Sequence, residues 1–138
     1  MLRRALADAG LGDRVRVTSA GTGPWYGGGP AHKLTQQVLA DNGYATDHVA
    51  HQIDAAELAT VDLVLAADSG HVTALRRMNG RNGRPADRIV LFRSFDPDAS
   101  HHDLPDPWGG PESEYVEVYR MVNAALPGIV AEVRRQLG

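Results

Sequence analysis

Three short apolar runs, VRVTS (15–19), DLVLAA (62–67) and RIVLF (88–92), are separated by stretches in which apolar residues recur at helical spacing. VRVTS alternates as a strand does, while the other two read as buried strands. A chain that alternates strand and helix folds as an α/β sandwich around a parallel sheet, because parallel neighbours need crossover connections. The spacing predicts a first helix over MLRRALADAG and a second over about 30–41, with Asn42-Gly43 as its C-cap. A short helix is expected at DAAEL (54–58), which has the Asp-x-x-Glu form of a capping box, and another begins near Asp68 or Ser69. Ser113 is the expected cap of a final helix with Val116, Tyr119, Val122, Leu126, Val130, Val133 and Leu137 as apolar positions. Pro127 should kink or divide it. No linker, repeat or low-complexity tract appears, so residues 1–138 read as a single domain, large enough for a core without disulfides or metals.

The front of the chain departs from this pattern. Met1 already lies inside a helical repeat that nothing caps, whereas crossover units usually begin with a strand. A strand is therefore expected to be missing ahead of it.

Composition narrows the chemistry. Cysteine is absent, which excludes disulfides, cysteine-ligated zinc and any thiol chemistry by these residues. A formal net charge of −3 gives no indication of a basic nucleic-acid face. No run is long and apolar enough to span a membrane and no signal-peptide pattern opens the chain, so a soluble, cytosolic protein is expected.

The stretch DLPDPWGG (103–110) carries the sharpest functional hint. Prolines on both sides of Asp106 restrict its backbone to extended or turn conformations. Asp106 is open to three readings: a cap for the following turn, an idle loop acid, or a general acid held over a cleft. In the third, Trp108 would shield the carboxyl group and desolvation would raise its pKa, as a proton donor at neutral pH requires. GTGPWYGGG (21–29) lacks the spacing of a nucleotide-phosphate loop and reads first as a surface loop. Trp25 and Tyr26, between Pro and Gly, cannot both be core, which points to at least one lining a cleft or contact face. His101, His102, Asp103 and Asp106 lack metal-ligand spacing, and His71 reads as a helix-start residue; no metal is assigned.

VTSAGTGPWYGG, LADNGYATDHVAHQ, DLVLAADSGH, RSFDP and DLPDPWGG, in this order, resemble the low-molecular-weight protein-tyrosine phosphatases, the actinobacterial branch above all. The resemblance runs from about residue 2 to residue 137. It implies a three-layer α/β sandwich with a small parallel sheet, no cofactor, and a phosphotyrosine protein or small aryl phosphate as substrate. It assigns Asp106 as the acid that protonates the leaving phenolate and then the base for the hydrolytic water. Trp25, Tyr26 and Trp108 become walls of the substrate cleft. Many members carry a second aromatic directly after the first; here that position is Gly109.

The resemblance also implies a departure. The family opens with a strand, a Cys-x5-Arg phosphate loop and a helix, and Met1-Leu2-Arg3-Arg4 matches a point partway along that helix. The strand and the nucleophile are thus expected ahead of residue 1, leaving the domain incomplete at its N-terminus and this chain inactive alone. Strands 15–19 and 62–66 would lose their central neighbour and could close together or pair with another chain, a route to self-association. A non-catalytic pseudophosphatase or partner-binding module is the alternative. An arsenate reductase of the same fold is disfavoured, since it too needs cysteines. Secretion, known for some bacterial members, stays open beside a cytoplasmic location.

Overall fold

Two glycines end the first two helices by the same device. After α1 (Leu2–Asp8), Gly10 adopts φ +77°, its N–H donating to Ala7 O at 3.0 Å while Leu11 N–H reaches Leu6 O at 2.8 Å. After α2 (Lys33–Asp41), Gly43 at φ +79° donates to Ala40 O at 3.0 Å and Tyr44 N–H to Leu39 O at 2.9 Å. Glycine alone takes such a φ without strain, and the paired bonds satisfy carbonyls that a helix end otherwise leaves bare. Leu6 and Leu11, either side of the first turn, are both buried. Met1 caps α1 with no side-chain bond, in keeping with the uncapped start seen in the sequence.

The computed structural model describes residues 1–22, 33–44, 51–80, 85–107 and 110–138. The expected helix start at 30–32 lies outside them. Within them the order is α1, α2, α3 (Ala55–Ala59), β1 (Val64–Ala66), α4 (Ser69–Asn79), β2 (Ile89–Leu91) and α5 (Glu112–Leu137), with 3-10 turns at Ala86–Arg88 and Phe92–Phe95. The result is an α/β fold with a small parallel sheet: β1 pairs with β2 in the register Val64↔Ile89, Leu65↔Val90, Ala66↔Leu91. Leu58 of α3, Val64 and Ala66 of β1, Leu75 of α4 and Ile89 of β2 form one buried cluster. Helices α1 and α2 pack on α5, which in turn packs on the Phe92–Phe95 turn.

Several expectations change. VRVTS (15–19) forms no ladder among the described residues; the paired position nearby is Gly21, bridged in parallel to Gln52. A strand exists only through its partner, which alternation within one run cannot show. Both buried strands are shorter than their apolar runs, because the flanking residues are used otherwise. Arg88, at the head of RIVLF, is buried in the 3-10 turn, donating to Val61 O at 2.7 Å and Asn79 Oδ1 at 2.5 Å. It thereby ties the start of β2 to the end of α4. The capping box at 54–57 is half formed: Asp54 Oδ1 accepts from Glu57 N–H at 2.8 Å, but the Glu57 carboxylate turns to His51 Nε2 at 2.9 Å.

The last helix also differs. It starts at Glu112 with Pro111 as N-cap, so Ser113 lies inside it. Glu112 and Glu114 in the first turn favour that earlier start by complementing the helix dipole. Pro127 does not divide α5, which runs unbroken to Leu137. Pro127 and Asn123, whose carbonyl loses its usual donor four residues on, are both exposed, so water can replace the missing bond. The buried stripe comprises Tyr115, Ala125, Leu126 and Ile129, while the other expected positions are half-buried.

Next to Pro127, Gly128 permits a close approach of α5 to Phe95. A Cβ there would overlap the carbonyl oxygen of Phe95. Gly→Ala inside a helix by itself stabilises by about 1 kcal/mol, so the sign of the change is diagnostic. We expect Gly128→Ala to destabilise the fold by about 1–3 kcal/mol in urea unfolding; a neutral or stabilising result would show that α5 does not sit so close to Phe95.

Candidate functional site

The sequence around Asp106 folds as it does because two neighbours clasp it. Leu104 N–H donates to Ala67 O at 2.7 Å, the residue directly after β1. Asp103 spreads its carboxylate over the next element: Oδ1 accepts from Ser69 N–H at 3.0 Å and Oδ2 from Ser69 Oγ at 3.1 Å. A carboxylate there also suits the first turn of α4, where backbone N–H groups lack helical partners.

From the other strand comes Arg93, two residues past β2 and buried. Its Nη1 donates to Asp103 O at 3.3 Å and lies 3.4 Å from His101 Nδ1. The segment 101–107 is thus pinned at the carboxyl ends of both parallel strands, where open α/β sheets place their ligands. Asp68 completes the frame by capping α4: its Oδ1 accepts from His71 N–H at 2.9 Å and lies 3.1 Å from His71 Nδ1. His71 is accordingly a helix-start residue, as its position suggested.

Asp106 projects from this pinned loop as an exposed residue. Beyond it, Gly110 N–H donates to Pro107 O at 2.9 Å, and a Cβ at Gly110 would overlap the Glu114 carboxylate of α5. Gly110 thus lies against the first turn of the last helix. Trp25, Tyr26 and Trp108, the expected cleft walls, lie outside the described residues, as does Gly109.

Among the described residues no group of three His, Cys, Asp or Glu side chains is arranged to hold a metal ion. The charges around the HHD stretch explain why. A guanidinium faces His101 Nδ1, and both Asp103 oxygens are taken by Ser69. No helix among the described residues is long and apolar enough to cross a membrane.

Sequence reasoning weighed Asp103 only as a metal ligand and gave Arg93 no role. Both turn out to hold the acid loop in place. One signal was available for Arg93, an arginine directly after a buried apolar run, where a cation persists only with polar partners.

The model of the family described as low molecular weight phosphotyrosine protein phosphatase matches residues 1–137. A low molecular weight protein-tyrosine-phosphatase of Streptomyces coelicolor is 43% identical over 139 residues, covering 99% of this chain and 84% of that protein. Low molecular weight protein-tyrosine phosphatase A of Mycobacterium tuberculosis is 43% identical over 131 residues, covering 94% of this chain and 77% of that one. Among solved structures, YfkJ from Bacillus subtilis superposes with a TM-score of 0.85 at 26% identity, covering 98% of this chain and 83% of that one. A protein tyrosine phosphatase of Entamoeba histolytica reaches 0.89 at 18% identity, over 99% and 86% of the two chains, a likeness of fold.

The clasp makes a local prediction. Asp103→Ala removes two bonds to a carboxylate at a half-buried position, which costs about 1–2 kcal/mol after discounting for solvent. Hydrogen exchange of the Leu104 amide should then accelerate by about tenfold, with Asp103→Asn in between. Unchanged exchange in both variants would mean that the Leu104–Ala67 bond holds the loop unaided.

Proposed function

Because the chain belongs to the low molecular weight phosphotyrosine protein phosphatase family, we propose that its Asp106 loop is the proton-transfer half of a phosphotyrosine-hydrolysing site. The observation that supports this most directly is the clasp of segment 101–107 at the carboxyl ends of β1 and β2. A proton donor has to be held to within fractions of an ångström of its target, and a loop pinned by Arg93, Ser69 and Ala67 meets that need. The substrate in this reading is a phosphotyrosine side chain or a small aryl phosphate, with Trp25, Tyr26 and Trp108 as its aromatic walls.

Two steps follow. A thiolate attacks phosphorus, and as the P–O bond to the ring breaks, the Asp106 carboxyl group gives its proton to the departing phenolate oxygen. Water then attacks the thiophosphate, the resulting Asp106 carboxylate takes its proton, and inorganic phosphate and thiolate are released. The chain contains no cysteine. The thiolate therefore has to come from outside these residues, and Asp106 has no nucleophile within the chain to work with. General acid help supplies about 10²–10⁴-fold, small beside what an unassisted phosphate ester requires.

A second reading rests on that same absence: a non-catalytic module that binds a phosphotyrosine partner. Pairing between copies belongs to the proposal as well, since β1 has a ladder partner on one side only among the described residues.

The test is hydrolysis of p-nitrophenyl phosphate by the purified chain. We expect no turnover above buffer; turnover that Asp106→Ala abolishes would overturn the need for an external thiol. Titration with a phosphotyrosine peptide, followed by amide shifts at Asp103, Leu104 and Asp106, separates the two readings. Saturable binding favours the module, and its absence favours the catalytic half-site. Sedimentation velocity across a concentration series reports pairing between copies.

A further inference from the structure

Far from the Asp106 loop, α1 and α5 face each other across a groove of about 450 Å³. Its residues on α5 run to Arg134, and Val130 lies about 27 Å along the helix from Glu112, where the acid loop joins it. The groove is thus a separate place on the molecule, shallow and widely open to solvent.

Its walls have a definite chemistry. Leu126, Pro127 and Val130 line it from α5, and Ala5 and Ala9 line it from the α1 side. Tyr44 forms an aromatic wall, placed there by the glycine turn that ends α2. The Arg4 guanidinium lies 5.1 Å over the Tyr44 ring while Nη1 donates to Gly43 O at 3.0 Å. Tyr119 meets Tyr44 edge-on at 6.2 Å between centroids. Burial, and then the neighbouring Tyr44, hold the Tyr119 phenol above its ordinary range, so it carries no charge at neutral pH.

At another point of the rim, Arg134 Nη2 donates to Ala9 O at 3.2 Å. Each guanidinium has five N–H groups in a planar fork that matches a carboxylate. These bonds anchor Arg4 and Arg134 to the backbone, so ordering them for a ligand costs less side-chain entropy. Asp8 is the single carboxylate among the lining residues, against two guanidinium groups, so the rim favours a single negative charge.

We propose that this groove is a binding site for a small organic monocarboxylate with an apolar, preferably aromatic, body. The body lies on Leu126, Pro127 and Val130 beside Tyr44, and the carboxylate meets Arg134. An inorganic anion would leave the apolar surface uncovered, and a neutral amphiphile would leave the guanidinium groups unused. The site is independent of the phosphatase reading.

The experiment is an amide-shift titration of the full chain with 4-phenylbutyrate, and in parallel with 4-phenylbutan-1-ol. We expect saturable shifts at Ala5, Ala9, Tyr44 and Val130 with the acid, and affinity for the alcohol lower by about fivefold or more. Arg134→Gln, at an exposed position, should weaken the acid by a similar factor and leave the alcohol unchanged. Asp8→Asn should tighten the acid alone. Equal affinity for acid and alcohol, no shift at these residues, or shifts confined to 103–107 would each overturn the proposal.

Discussion

One carboxylate does most to shape the candidate site. Asp103 joins three pieces of chain distant in sequence: its side chain holds the start of α4, its carbonyl receives the buried Arg93 that follows β2, and its neighbour Leu104 is bonded to the residue after β1. Without that carboxylate Ser69 loses both contacts, while the backbone carbonyl that Arg93 reaches stays in place. The proline pair around Asp106 stiffens the loop but cannot aim it, because stiffness has no direction until an end is fixed. Aim comes from the clasp at 103–104.

The parts legible in the sequence were those whose chemistry is local. Asp68 before α4, Asp54 before α3 and Gly43 after α2 each act within four residues of themselves, and each was readable from its own neighbourhood. Ser113 misled for the opposite reason: a good capping residue stood two positions past an end set by Pro111 and two first-turn acids. Positions whose role depends on remote partners were not legible. Arg88 looked like the head of a strand until Val61 and Asn79 came near it, and VRVTS had the pattern of a strand without a described partner. Asp106 and its loop entered the candidate site through the resemblance and the flanking prolines. Asp103 and Arg93 did not, since what they touch lies 34 and 10 residues away in sequence.

Chemistry divides the same way. A rigid loop can only suggest a general acid; a nucleophile must be present as a residue, and no cysteine is. In the proposed role, Asp106 would act only as bond-breaking charge develops on a leaving oxygen, so its contribution would multiply a nucleophilic step and not replace one. For that reason the family membership and the proposed inactivity of these residues alone do not conflict. They concern different halves of one reaction.

Helix α5 links the regions described. Its first turn contacts the acid loop at Gly110, Gly128 lies on Phe95, and Pro127 beside it lines the groove facing α1. Phe95 is in turn two residues from Arg93, the side chain that holds Asp103. The groove and the acid loop are therefore joined by an unbroken path of backbone and packed contacts. Such a path transmits energy only if some element along it has two arrangements that both ends bias. The overlap that a single Cβ at Gly128 would create argues for one arrangement there, a tight and rigid contact. On these grounds α5 is better understood as a brace between the groove and the loop than as a switch that couples them.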